Sequence, residues 1–262
     1  MIKRKKTTVV ANWKMHKTPK EAQAFVNEFF SYLKTESLEK IKNTEIVFCV
    51  PFLDIKTLLD FTKICNLNNI FVGAQNCYSE DTGAFTGEIS AFMLKSVGAS
   101  HVILGHSERR TLFLETDDII NKKVLSCLKN HLKVILCIGE DISQKDSDLT
   151  KKIIEIQLRK GLSYLKGKDM ENIMIAYEPV WAIGTNRSAS IEEVEKISDF
   201  IRNIISNSFG KENGEKTSVL YGGSMNLENA PIFFKSSGID GVLVGRASLN
   251  SKDFLDIVKS AN

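Results

Sequence analysis

The stretch His101–Gly139, HVILGHSERRTLFLETDDIINKKVLSCLKNHLKVILCIG, holds two short β-branched runs, HVILGH (101–106) and KVILCIG (133–139). Between them DDIINKKVLSCLKN (117–130) has helical spacing. A strand that is apolar throughout leaves no face for solvent, and a helix between two such strands is the crossover of a parallel sheet covered on both sides. Residues 101–139 therefore read as strand, helix, strand.

The alternation continues in both directions. VVANWK (9–14), EIVFCV (45–50) and IFVGAQ (70–75) precede it, and IMIAYEPV (173–180), SVLYGG (218–223) and GVLVGR (241–246) follow, giving eight runs. Helical spacing recurs at 19–34, 148–165 and 191–205. Eight strand–helix units in a chain of this length predict an α/β protein of eight parallel strands ringed by helices, a closed (β/α)8 barrel. Periodicity alone leaves an open doubly wound sheet as the alternative. No Pro/Gly/Ser-rich linker interrupts the series, so residues 1–262 read as one domain preceded by a basic tail at 1–6.

Composition narrows the function. With 262 residues and 43% hydrophobic content the chain can bury a sizeable core. A net charge of +3 from 35 basic and 32 acidic residues is too balanced for a nucleic-acid or anionic-lipid binder. Lys3, Arg4, Lys5 and Lys6 lack the apolar run and cleavage site of a signal peptide and read as a solvated tail. No apolar stretch approaches the ~20 residues needed to span a bilayer, so a soluble protein without membrane partners is expected. The five cysteines, Cys49, Cys65, Cys77, Cys127 and Cys137, are an odd count with no CxxC spacing, and Cys49 and Cys137, inside β-type runs, read as buried thiols of a reducing compartment.

Polar residues collect where the predicted strands end: Asn12, Lys14, Asn76, His106, Glu108, Glu140 and Glu178. In a barrel those ends form the reactive face. Glu178 follows the apolar IMIAY and precedes Pro179, which disfavours a helix and leaves the carboxylate at the barrel mouth with little water. Desolvation makes a carboxylate a more effective base, although a lone Glu can equally pair with a lysine or cap a turn. His106 precedes SERR, a sequence able to open a helical turn, and a helix N-terminus disfavours an imidazolium. A neutral hydrogen-bond donor results; a purely structural histidine is the other reading. Lys14, two residues after Asn12 and on the same side of the expected strand, can neutralise an anion, polarise a carbonyl, form a Schiff base or sit in a surface ion pair. His101 and His106 fall on opposite sides of the period-two pattern, and His16 and His131 lack ligand-type neighbours, so no metal site is expected. Glycine turns YGGS (221–224) and VGRAS (244–248) follow strands seven and eight, the loops that commonly hold a phosphate in such barrels.

These segments are also familiar as a set. ANWKMH, GAQNCYSEDTGAFTGEIS, ILGHSERRTLFLETDDIINKKV, ILCIGE, AYEPVWAIGT, LYGGSMNLENA and GIDGVLVGRASL resemble the triosephosphate isomerases in order and spacing over almost the whole chain. The resemblance implies a TIM barrel that interconverts dihydroxyacetone phosphate and D-glyceraldehyde 3-phosphate without a cofactor, in the cytoplasm, as part of glycolysis and gluconeogenesis. It implies Glu178 as base, His106 as electrophile, Lys14 and Asn12 as substrate contacts, and Glu108 as a carboxylate near His106 and Lys14. Gly184, Ser224, Gly245 and Arg246 would grip the phosphate through backbone N–H groups. Val180 to Asn186 would be a lid, and the Asn76–Gly87 loop would reach into a second subunit, bringing Thr86 toward its Asn12 and Lys14. Two positions depart from the pattern: Asn186 and Arg246 both stand where glycine is usual. The rival functions are a Schiff-base lyase acting on a phosphorylated ketose through Lys14, and a barrel kept as a scaffold without turnover.

Overall fold

The computed structural model describes residues 7–35, 39, 41–183 and 189–261, and every structural statement below concerns these. The basic tail at 1–6 lies outside them. The strands are β1 (Thr7–Asn12), β2 (Thr44–Val50), β3 (Ile70–Ala74), β4 (His101–Leu104), β5 (Lys133–Ile138), β6 (Ile173–Tyr177), β7 (Ser218–Tyr221) and β8 (Gly241–Val244). Each pairs in parallel with the next, and β8 closes on β1. The closed barrel excludes the open sheet.

Closure explains why the strands lack a polar face. Val10, Val47, Cys49, Ile103, Ile135, Cys137, Met174, Ala176, Leu220 and Leu243 form a cluster fed almost entirely by strands, which is the barrel interior. Their neighbours Val9, Ala11, Phe48, Val102, Leu136 and Ile175 point the other way into a layer shared with the helices. Alternate residues thus face two apolar environments, and each large side chain so buried stabilises the fold by about 1.5–3 kcal/mol.

The helices are α1 (Pro19–Thr35), α2 (Ile55–Cys65), α3 (Ala91–Val97), α4 (Ser107–Leu112), α5 (Asp117–Lys129), α6 (Ile142–Asp146), α7 (Thr150–Gly161), α8 (Ile191–Phe209), α9 (Lys211–Lys216), α10 (Ala230–Phe234) and α11 (Ser251–Lys259). Their starts follow capping chemistry. Ser190 Oγ accepts from the Glu193 amide while the Glu193 carboxylate accepts from the Ser190 amide, a reciprocal cap that starts α8. Thr116 does half of this for α5. Against the outer wall, Trp13, Phe25, Phe29, Phe48 and Phe254 form a continuous aromatic cluster with centroids 4.9–6.4 Å apart, tying β2 and the residue that follows β1 to α1 and α11.

Seven of the eight strands end one to three residues earlier than the sequence pattern predicts, and β2 ends at Val50 as expected. His106, Glu178, Gly222 and Arg246 all follow the last residues of their strands, where the chain leaves the wall and its polar groups turn into solvent or a site. Gly105, at φ 69°, makes that turn after β4 in a conformation costly for other residues. Lys14 also departs from its expected place. β1 stops at Asn12, and Lys14 sits at φ 53° rather than in a strand. Cys49, Cys77, Cys127 and Cys137 are buried free thiols, and Cys65 is half-buried. No described helix is long and apolar enough to cross a membrane.

Candidate active site

The C-terminal mouth of the barrel opens into a cavity of 610 Å³. Asn12, Lys14, His106, Glu178, Ser224, Gly245 and Arg246 all line it, so the fold brings together residues spread over more than 230 positions of sequence. Gly184 and Asn186 lie outside the described residues. Glu108 is not among the lining residues, but its carboxylate meets Lys14, which is.

Glu178 is 2% exposed and both its oxygens are held. Oε2 accepts from the Ser107 backbone N–H at 3.1 Å, and Oε1 lies 3.2 Å from His106 Nε2. Ser107 is the first residue of α4, so the carboxylate rests on the positive end of that helix. Its backbone is gripped as well: the Glu178 N–H donates to Ile138 O at 2.7 Å, continuing the β5–β6 ladder one residue past β6. Two glycines leave room for it. A Cβ on Gly139 would stand 1.8 Å from Glu178 O, and one on Gly222 would stand 2.8 Å from Glu178 Cγ.

His106 caps α4 with its own ring. Nδ1 accepts from the Glu108 N–H at 3.2 Å, which assigns the lone pair to Nδ1 and the proton to Nε2. A contact of 3.5 Å between Nδ1 and Glu108 Oε2 is longer and sets two acceptors side by side, so the backbone donor decides the tautomer. With Nδ1 turned to α4, the ring presents Nε2 to the barrel interior. Its Nε2–H points to Glu178 and into the cavity.

Lys14 and Asn12 do share the cavity, by a turn rather than by strand alternation. The Asn12 side chain folds back to accept from the Lys14 N–H at 3.1 Å, which supports the left-handed conformation of Lys14. Trp13, between them, points away and donates from Nε1 to Ser248 O at 3.1 Å. Lys14 Nζ meets Glu108 Oε1 at 2.6 Å. Glu108 therefore joins the cation to the histidine's helix. His101, the other histidine of this region, is fully buried near Glu45, with Nε2 3.2 Å from Oε1. Among the described residues no group of three or more His, Cys, Asp or Glu is arranged to hold a metal ion.

The sequence pattern did not point to three features. The Ser107 amide that holds Glu178 has no side-chain signature. Gly222 and Gly139 are visible as glycines but give no hint of which atom needs the space. Glu140 was visible only as a polar strand end. It is buried, and accepts from Tyr177 Oη through both oxygens at 3.1 Å and from Trp181 Nε1 at 2.8 Å. Burial pushes its carboxyl above the usual range, against the pull of those donors. Its backbone carbonyl also takes the Val180 N–H at 3.0 Å, so Glu140 clamps the root of the segment Val180–Ala182.

With this geometry in hand, comparison with known proteins gives one answer. A family model described as triosephosphate isomerase matches residues 7–261. The chain belongs to the triosephosphate isomerase family. It is 43% identical over 257 residues to the triosephosphate isomerase of Chloroherpeton thalassium, covering 98% of this chain and 99% of that one. It is 44% identical over 252 residues to that of Dictyoglomus turgidum, covering 96% and 98%. That of Caldanaerobacter subterraneus subsp. tengcongensis is 43% identical over 250 residues, covering 95% and 97%. The triosephosphate isomerase likeness thus extends over the whole barrel and not over the site motifs alone.

Proposed function

We infer that this protein interconverts dihydroxyacetone phosphate and D-glyceraldehyde 3-phosphate through an enediolate. Family membership supports the reaction, and one local observation carries the assignment of roles: a buried carboxylate and the Nε2–H of a tautomerically defined histidine meet at 3.2 Å on the floor of one cavity. Glu178 leaves the Ser107 amide to take a proton from the carbon beside the carbonyl, and returns it to the neighbouring carbon. His106 Nε2–H donates to the carbonyl oxygen as negative charge develops there, and shuttles the proton between the two oxygens. Lys14 places a positive charge at the same oxygens, and Asn12 orients the substrate. Glu108 holds Lys14 in place and, through its backbone N–H, keeps the His106 proton on Nε2.

The backbone N–H groups of Ser224, Gly245 and Arg246, with that of Gly184, take the phosphate. Val180 to Asn186 closes over the bound substrate from the root that Glu140 clamps, excluding water from the enediolate. No cofactor enters the reaction, and the enzyme works in the cytoplasm.

The Schiff-base alternative is weakened by Lys14 itself, whose nitrogen is already committed to Glu108 at 2.6 Å. In D2O the purified protein should place deuterium on the hydroxymethyl carbon of dihydroxyacetone phosphate and produce glyceraldehyde 3-phosphate labelled at C2. Unlabelled substrate with no aldehyde product would overturn the isomerase reading.

The same reading includes a homodimer. Met15 (95% exposed), Leu53, Phe85, Phe92, Met93, Leu112, Phe113 and Leu114 are exposed apolar residues that follow β1 to β4, four adjacent strands, at one end of the barrel. So much apolar surface on neighbouring loops calls for a covering partner, and a second copy offers the same loops in return. The Asn76–Gly87 loop then brings Thr86 toward the second subunit's site. Sedimentation equilibrium at micromolar concentration should give twice the chain mass; the chain mass itself would remove the dimer from this reading.

A further inference from the structure

One lysine and one arginine line the cavity, Lys14 and Arg246. They are not equivalent. Lys14 is already tied to Glu108 at 2.6 Å, so much of its charge is answered before any substrate arrives. Arg246 is exposed, and among the described residues its side chain has no hydrogen bond, ion pair or ring contact. Acidic groups on the same lining make the contrast sharper. Glu178 is directed to His106 and Ser107, whereas Asp253, in the first turn of α11, lines the cavity beside the Arg246–Leu249 turn. A dianion entering that end would meet Asp253 as a repulsive neighbour unless another charge offsets it.

The position of Arg246 fits that role. Gly245, which precedes it, comes close to Lys14: a Cβ added there would lie 3.7 Å from Lys14 Cε. The Gly245–Arg246 corner is therefore next to the cation that serves the reacting end, and it faces the same space as Gly222, Gly223 and Ser224. A guanidinium presents a planar fork of N–H donors that matches two oxygens of a phosphate, and being weakly hydrated it gives up water readily.

We propose that the Arg246 side chain is an additional phosphate ligand, acting beyond the backbone N–H of the same residue, and that it sets how tightly this cavity takes the dianionic end of its substrate. The proposal rests on the isomerase reading for the identity of that substrate. Because the side chain is exposed, salt and water screen it, and its effect is moderate: removing the charge weakens phosphate binding by about three- to tenfold.

Arg246→Gln, which shortens the fork and removes its charge, and Arg246→Lys, which keeps a charge without the fork, are compared with the unaltered protein. Three readouts are used: KM and kcat for glyceraldehyde 3-phosphate, the inhibition constant of inorganic phosphate, and the phosphate dissociation constant by calorimetry at low and high salt. Arg246→Gln should raise KM and both phosphate constants by the same factor with a much smaller effect on kcat, and should flatten their salt dependence. Arg246→Lys should recover part of the loss. A phosphate dissociation constant in Arg246→Gln equal to that of the unaltered protein overturns the proposal, as does a fall confined to kcat. Absence of turnover in the unaltered protein would count against the isomerase reading alone, since the calorimetric comparison still decides Arg246.

Discussion

Glu178→Asp is expected to lower kcat by about two to three orders of magnitude while KM changes little, because proton transfer depends on the reach of the base. Aspartate keeps the charge and loses one methylene. Where Glu178 now stands, its backbone is fixed by the bond to Ile138 O and by the tight approach of Gly139, so the chain cannot advance to compensate. The shortened carboxylate would also leave the Ser107 N–H and His106 Nε2, both of which now lie within 3.2 Å of it. Steady-state kinetics in a coupled assay of glyceraldehyde 3-phosphate turnover checks this. An unchanged kcat would remove Glu178 from the chemistry and leave it a structural cap on α4.

His106→Gln should lower kcat by about two orders of magnitude, again with a smaller change in KM. Glutamine can still offer an amide N–H, but it lacks the rigid ring that places a donor at the carbonyl while Nδ1 is held by the Glu108 amide. It also cannot pass a proton between two oxygens in the way an imidazole can. If rate loss came only from a disturbed α4, the variant would show a lowered melting temperature and a weakened KM together. A folded protein with a normal rate would show that His106 only caps the helix.

These two residues illustrate how much of the site was legible in the sequence. Glu178 and His106 were recognisable because each is a lone polar group at the end of an apolar run, and because the segments around them resemble those of a known family. Their mutual contact was not legible, since 71 positions separate Ser107 from Glu178 and nothing local encodes the distance between β4 and β6. Lys14 was placed on the right face for the wrong reason. Alternation along a strand was expected, whereas the Asn12 side chain and a left-handed residue achieve the same direction after the strand has ended. Strand ends other than that of β2 were misjudged for a related cause: residue type reports burial, and the buried mouth of the barrel extends past the strands. Glu140 shows the reverse, an acid at a strand end that serves Tyr177 and Trp181 rather than the cavity.

Local chemistry written along the chain was enough for the count of strands, their parallel order, the helical stretches between them, and the glycine turns after β7 and β8. Those depend on side-chain period and on short-range hydrogen bonds, which a linear pattern carries. Closure of β8 on β1, the tautomer of His106, the pairing of Lys14 with Glu108 and the placing of Arg246 and Asp253 on one cavity lining were settled only when eight strands met around one axis. Such features depend on ångström-scale distances between residues far apart in sequence, and packing of the whole barrel determines those distances.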